Sequence, residues 1–291
     1  MLHVHNLTKR FKDETILNKI NFEIIEPKIL ALVGPNGSGK TTLLNCITNL
    51  TSIDNGTITI FGKPHHDPKI FKQISYFQDN RILYEQLTGY DHLKFLCDVQ
   101  QIDYSAIIRT AKIVKMESYL KKKVRNYSLG MKQHLLLAMA IINRPKLLIL
   151  DEPLNGMDPS SAIDVRSILL DLYQTGTAII ISSHNLDAIN RIAHNIYFLK
   201  NGELIEEQIE DYNEQYFSIY VNDEYEANQI LAEKGIKFRF DQNLKRFEIS
   251  SREYHLQFII NIFNQYGHEI IDIEKNRVGL ENRYQQLFEE K

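Results

Sequence analysis

The stretch Gly34-Pro35-Asn36-Gly37-Ser38-Gly39-Lys40-Thr41 decides the reading of this chain. It fits the pattern G-x-x-x-x-G-K-[ST], and it sits in the context that pattern needs. The apolar run Ile29–Val33 before it reads as a buried strand, and the amphipathic stretch 42–49 after it reads as a helix. Glycines in such a loop let the backbone turn so that successive N–H groups point inward at phosphate oxygens. The helix N-terminus behind the loop adds a partial positive charge. A lysine here reaches the outer phosphates of a nucleotide, and the hydroxyl after it offers Mg²⁺ one coordination position. Asn36, Gly37, Ser38, Gly39, Lys40, Thr41 and Thr42 are therefore the expected nucleotide-binding residues, with Thr41 also a metal ligand.

A second constellation supports the first. The apolar run 147–150 ends in Asp151-Glu152. Taken alone, two acids after a strand mark a strand that reaches solvent. Beside a phosphate loop they gain a chemical meaning: the first acid holds Mg²⁺, and the next one polarises the attacking water. Asp151 is the expected metal residue and Glu152 the expected general base. Adjacent carboxylates repel, which raises the proton affinity of one unless a cation neutralises the other. A nearby metal would supply that cation.

Outward from these motifs, short apolar runs alternate with amphipathic segments over residues 1–210, the pattern of an α/β domain with a mostly parallel core sheet. Strands are expected at Ile29–Val33, 147–150 and 178–182, each apolar enough to be buried on both faces. Alternation such as Thr57-Ile58-Thr59-Ile60-Phe61 predicts an antiparallel flank, and helical spacing over about 80–145 predicts an inserted helical subdomain. Residues 211–291 change texture. Strand-like alternation at 216–221, 237–240, 247–250 and 269–273 brackets helical patterns at Glu224–Glu233 and 252–266, with a polar turn at 241–245. The order β-α-β-β-α-β predicts a small ferredoxin-like α+β unit, closed by a helix over 280–290.

Composition excludes several function classes. With 291 residues, 24 % charged and a net charge of −3, the chain has no electrostatic reason to bind nucleic acid. Cys46 and Cys97 sit in apolar, helix-like stretches that fit neither a metal site nor a disulfide framework, which suits a reducing cytoplasm. The opening Met1-Leu2-His3-Val4-His5 lacks the features of a signal peptide. The apolar run 135–142 falls far short of the roughly 20 residues that span a bilayer. A pore, if the chain drives transport, is expected on another polypeptide.

Tyr127-Ser128-Leu129-Gly130-Met131-Lys132-Gln133 is similar to the signature motif of ATP-binding-cassette (ABC) ATPases, and the resemblance covers residues 2–208 with every motif in the family's order. It implies further site residues. Phe11 falls where the family stacks an aromatic ring on adenine. Gln78 matches the glutamine that joins the sheet domain to the helical subdomain and senses the metal and γ-phosphate. Asn155-Gly156-Met157-Asp158 resembles the loop that reports across a dimer interface, and His184 matches the histidine that contacts the γ-phosphate. Each has a plain structural alternative: Phe11 as core, Gln78 as a loop residue, His184 as a strand-end residue. Ser128 and Asp158 also read as caps of helices starting at Leu129 and Pro159.

A capped helix tip is itself an anion site. The phosphate loop already serves the chain's own nucleotide, so the resemblance implies that Ser128 and Gly130 of one subunit face the γ-phosphate held by another. Leu129, Met131, Leu154 and His134 depart from the family's usual residues. The motif and the C-terminal extension are similar to those of exporters of antimicrobial peptides and drugs of the bacitracin and lantibiotic type. The implied function is an ATPase subunit, using ATP and Mg²⁺, that pairs with a second nucleotide-binding subunit and with separate transmembrane permease subunits. It would sit on the cytoplasmic face of the membrane, docking through 82–96, with Thr88 and Asp91 capping the docking helix. The alternatives are a soluble ABC ATPase outside transport and a P-loop kinase or GTPase; the latter gives Ser128, Gln78 and His184 no reason for their positions.

Overall fold

The computed structural model describes residues 1–78, 80–184, 186–208, 215–242, 244–277 and 280–288. Its internal contacts divide the chain into two units, Met1–Glu207 and Gln208–Lys291. The first unit opens with strands β1 (Leu2–Phe11) and β2 (Glu14–Ile24), followed by β3 (Ile29–Val33), helix α1 (Lys40–Ile47), β4 (Asn55–Ile60) and β5 (Lys63–Pro64). Strands β2-β1-β4-β5 make a four-stranded sheet whose neighbours pair antiparallel. This is the flank that the alternation at 57–61 predicts.

The chain then runs through β6 (Ile74–Phe77), α2 (Gly89–Gln100), α3 (Ser105–Ile113), α4 (Leu129–Ile141), β7 (Leu147–Asp151), α5 (Pro159–Gln174) and β8 (Ala178–Ser183). Helix α6 (Leu186–Asn190) and strands β9 (Asn195–Lys200) and β10 (Glu203–Gln208) complete the unit. The second sheet has the order β10-β9-β3-β8-β7-β6, and β9, β3, β8, β7 and β6 pair in parallel. Every residue of β3 and β8 is buried, as in a parallel sheet covered on both faces. One apolar cluster joins the two sheets through α1: Leu2 and Ile60 from the flank, Leu43 and Ile47 from α1, Leu147 and Ile180 from the parallel sheet.

One helix start in this unit differs from expectation, for a local reason. Helix α1 begins at Lys40 rather than 42, because Gly39 takes a left-handed φ of 104° and serves as its N-cap. Lys40 and Thr41 therefore belong to the first turn. Helix α2 begins at Gly89, where the expected Thr88–Asp91 cap places it. Thr88 accepts from Asp91 N at 3.1 Å and donates its own N–H to Asp91 Oδ2 at 2.9 Å, a complete capping box with aspartate in the usual glutamate place. The apolar residues before it are held by His92, whose Nε2 accepts from Tyr84 N at 3.0 Å. The caps expected at Ser128 and Asp158 are both present.

The second unit contains β11 (Gln215–Val221), α7 (Glu224–Glu233), β12 (Phe238–Asp241), β13 (Arg246–Ser250), α8 (Leu256–Gln265), β14 (Ile270–Arg277) and α9 (Leu280–Phe288). Its sheet has the order β12-β13-β11-β14 with antiparallel neighbours. Ala227, Ile230 and Leu231 of α7 and Ile259, Ile262 and Phe263 of α8 cluster with Phe217, Ile219, Phe247 and Ile249 of the sheet. Helix α8 starts four residues later than the expected 252, because residues 251–254 turn, with Tyr254 N donating to Ser250 O. The expected junction near 210, part of the 241–245 turn, the residues just before α9 and the end of the 280–290 helix lie outside the described residues.

Candidate nucleotide site

The loop 34–39 joins the end of β3 to the start of α1. Gly39 makes no side-chain cap bond to α1, which leaves the first-turn N–H groups free to meet a ligand. A Cβ at Gly39 would lie 3.0 Å from Ile16 Cγ2, so the loop can approach β2 this closely only as glycine. Lys40 is 6 % exposed, and its Nζ donates to the carbonyls of Gly34 at 2.7 Å and Pro35 at 3.1 Å. Burial pushes its pKa below that of an ordinary lysine, and the charges of Glu152 and Asp151 offset part of that shift. The Ser38 hydroxyl is buried with no hydrogen-bond partner. An orphan hydroxyl, open helix N–H groups and a buried ammonium make a set of donors without an anion, which fits a nucleotide's phosphates.

Strand β7 delivers the two acids beside this loop. Asp151 Oδ2 accepts from Thr41 Oγ1 at 2.7 Å, and Asp151 Oδ1 from Ser182 Oγ at 2.5 Å. The same Ser182 hydroxyl accepts from Glu152 N at 3.0 Å. Ser182 thus ties both acids to the neighbouring strand β8. Nothing in its sequence position announces the role, since it is one more small residue at the end of a buried strand. Glu152 has φ 49°, a left-handed backbone that an unbranched side chain adopts only at a cost of about 1–3 kcal/mol. That turn splits its carboxylate: Oε2 accepts from His184 Nδ1 at 3.0 Å, and Oε1 lies 3.8 Å from Lys40 Nζ.

Two cavities flank these groups. One, of about 280 Å³, is lined by Phe11, Asn36, Gly37, Lys40, Thr42 and Glu152 among others. Phe11 is 50 % exposed with Lys9 Nζ 5.1 Å from its ring centre, so it is a rim residue and not core. The other, of about 630 Å³, reaches from Thr41, Asp151 and Glu152 past Gln78 to the tip of α4. Both have Thr41 and Glu152 in their walls.

Ser128 and Gly130 line neither cavity, and Ser128 Oγ accepts from Met131 N at 3.3 Å as the cap of α4. Asp158 also lies outside both. Its Oδ1 accepts from Ser160 N at 3.0 Å and Ser161 N at 3.1 Å, and the Ser161 hydroxyl beside Oδ2 is the chief reason its carboxyl titrates below the usual range. The structure thus brings together the phosphate loop, Phe11, Gln78, Asp151, Glu152 and His184. Ser128, Gly130 and Asp158 stand outside both cavities, although Leu129, Asn155 and Gly156 line the larger one.

Two departures from the family pattern acquire contacts. Leu129 packs over Gly156, where an added Cβ would lie 2.6 Å from Leu129 Cδ2. His134 is buried on α4 with its Nδ1 3.1 Å from Tyr119 OH. Among the described residues no three His, Cys, Asp or Glu side chains converge on a common metal position. The hard oxygens of Thr41 and Asp151 suit Mg²⁺, which keeps several waters and takes the rest of its shell from substrate phosphates.

A glycine-rich loop between a parallel strand and a helix, with acids on the next strand but one, defines a P-loop nucleoside triphosphatase. The sequence profile of the ABC transporter family matches residues 17–155. The lantibiotic transport ATP-binding protein SrtF of Streptococcus pyogenes is 37 % identical over 80 % of this chain and 99 % of its own length. The bacitracin transport ATP-binding protein BcrA of Enterococcus faecalis is 35 % identical over 79 % of this chain and 78 % of its own. A solved ATP-binding subunit of an ABC transporter superposes with a TM-score of 0.67 at 26 % identity, covering 73 % of this chain and 92 % of that one. The chain belongs to the ABC transporter family. It is an ATP-binding, ATP-hydrolysing subunit of such a transporter.

Proposed function

We propose that this subunit spends ATP in a sandwich of two cassettes to drive export of a peptide, drug or other amphipathic compound through separate membrane subunits. The observation that carries the chemistry is the splitting of the adjacent acids: Asp151 is turned to Thr41 and Glu152 to Lys40 and His184. Thr41, Asp151 and Gln78 would hold Mg²⁺, which would supply positive charge to offset that on the outer phosphates. Glu152 takes the proton of the attacking water, and His184 orients the Glu152 carboxylate and meets the γ-phosphate. Lys40, Ser38 and the N–H groups of 36–42 grip the phosphates, and Phe11 stacks on the base.

The second copy completes the site. Ser128 and Gly130 stand on a capped helix tip and line neither cavity of their own chain, which supports their facing a phosphate held elsewhere. Asp158 is the matching contact on the 155–158 loop. Residues 1–210 form the nucleotide-binding domain on this reading. Residues 211–291 form an accessory domain of ferredoxin-like type, supported by its antiparallel order β12-β13-β11-β14.

No helix among the described residues is long and apolar enough to cross a membrane. The pore then belongs to a partner, and the subunit works at the inner face of the membrane. Helix α2 carries the docking surface, where Phe95 is 64 % and Val99 63 % exposed. The names of SrtF and BcrA point to peptide antibiotics as the class of cargo. The test is recovery of the tagged chain from a detergent extract of its own cells. A polytopic membrane protein should accompany the native chain and be lost from Phe95→Glu with ATP affinity unchanged. Recovery of ribosomes instead, or a partner indifferent to Phe95→Glu, would count against the transport docking.

A further inference from the structure

Strand β8 is apolar until it reaches the site. Ala178, Ile179, Ile180 and Ile181 are followed by Ser182, which is fully buried. Side chains alternate along a strand, so Ser182 shares a face with Ala178 and Ile180. Both of those belong to the apolar cluster that includes Leu43 and Ile47 of α1. An aliphatic side chain would simply extend that cluster. A buried hydroxyl costs about 1–3 kcal/mol unless it is bonded, so the bonds of Ser182 show what offsets its burial.

Those bonds differ in consequence. Parallel pairing sets Ser182 beside Asp151, and its Oγ donates to Asp151 Oδ1 at 2.5 Å. The same oxygen accepts the N–H of Glu152 at 3.0 Å. That N–H also reaches the Ser182 carbonyl at 3.2 Å, a bond that no change of side chain removes. The backbone at Glu152 is thus held twice, whereas the bond to Asp151 goes with the hydroxyl. The Asp151 carboxylate lies between two hydroxyls, because Thr41 Oγ1 donates to Oδ2 at 2.7 Å. Holding Oδ1 from β8 leaves Oδ2 turned to α1, where Thr41 offers the second hard oxygen.

We propose that Ser182 is a positioning residue for the metal: its hydroxyl fixes the Asp151 carboxylate so that Oδ2 is presented to the Mg²⁺ that accompanies the nucleotide. The proposal rests on the reading of Thr41 and Asp151 as metal residues. Ser182 itself touches neither metal nor nucleotide and acts through Asp151. A hydrogen bond that orients a metal-holding side chain contributes roughly 10–100-fold to metal affinity. Its loss acts on the metal, and leaves Lys40 and the loop N–H groups to grip the nucleotide as before.

Linkage between metal and nucleotide tests this. A non-hydrolysable ATP analogue is titrated into the full-length protein with Mg²⁺ and again with EDTA. The ratio of the two affinities measures how much better the protein-bound nucleotide holds the metal than the free one does. Ser182→Ala should lower that ratio about tenfold, with affinity in EDTA unchanged. Ser182→Cys keeps nearly the native volume but donates weakly, and should lower it as alanine does. A ratio unaltered in Ser182→Ala overturns the proposal. So does an equal loss with and without Mg²⁺, which marks general damage to the site, or a loss in alanine that cysteine abolishes, which marks packing. Asp151→Asn separates the proposal from the reading beneath it. If that change leaves the ratio intact, the metal assignment itself fails; if it lowers the ratio and Ser182→Ala does not, only the role of Ser182 falls.

Discussion

Glu152→Gln protein is expected to bind MgATP at least as tightly as the native chain while hydrolysing it about 10²–10⁴-fold more slowly, the usual loss of a general base. The substitution keeps the side-chain length and leaves an amide oxygen to accept from His184 Nδ1, which now lies 3.0 Å from Oε2. The backbone at this position already holds a left-handed φ of 49°, and glutamine pays the same conformational cost as glutamate. Stability should therefore change little. Lys40 loses a carboxylate 3.8 Å away, and its charge becomes more available to phosphate. Single-turnover hydrolysis and an equilibrium titration separate the two effects. Unchanged turnover would remove Glu152 from the role of base and leave its strained turn without a chemical purpose.

Lys40→Ala acts on binding itself. Its ammonium is buried in the wall of the smaller cavity, and loss of charge-assisted bonds to phosphate there should weaken MgATP roughly 10–100-fold in direct titration. The same change deprives the carbonyls of Gly34 and Pro35 of a donor. Each unsatisfied buried carbonyl costs about 1–3 kcal/mol, so the variant should also unfold at lower denaturant concentration. Lys40→Met, which keeps most of the apolar stem, separates lost packing from lost charge. Normal affinity in both variants would contradict the assignment of the phosphate loop.

These two variants test residues that motif and context made legible in the sequence. The phosphate loop could be read because its glycines, lysine and hydroxyl follow a fixed spacing between a strand and a helix. Phe11 was open between core and site, and only its place on the rim decides where it stands. Ser182 could not be found, because its hydroxyl acts across two neighbouring parallel strands, and its separation of 31 positions from Asp151 carries no local signal. The start of α2 is legible in the Thr88–Asp91 cap, whereas the His92 bond to Tyr84 that holds the segment before it is not. Strand β14 runs to Arg277 through polar residues because pairing with β11 continues to Gln215, a tertiary register that alternation alone does not reveal. Leu129, which replaces a glycine of the family pattern, finds its explanation only in Gly156, where a missing side chain gives it room.

The sandwich itself is tested most directly by the mass of Glu152→Gln protein in solution, measured by sedimentation with MgATP and again with ADP. Two copies should associate with MgATP and separate with ADP, because on the proposed reading the triphosphate would bridge the loop of one chain and the α4 tip of the other. A second change, Ser128→Arg, should keep ATP bound and restore the monomer. A strictly monomeric, ATP-loaded protein, even in the presence of its membrane partner, would contradict the shared site.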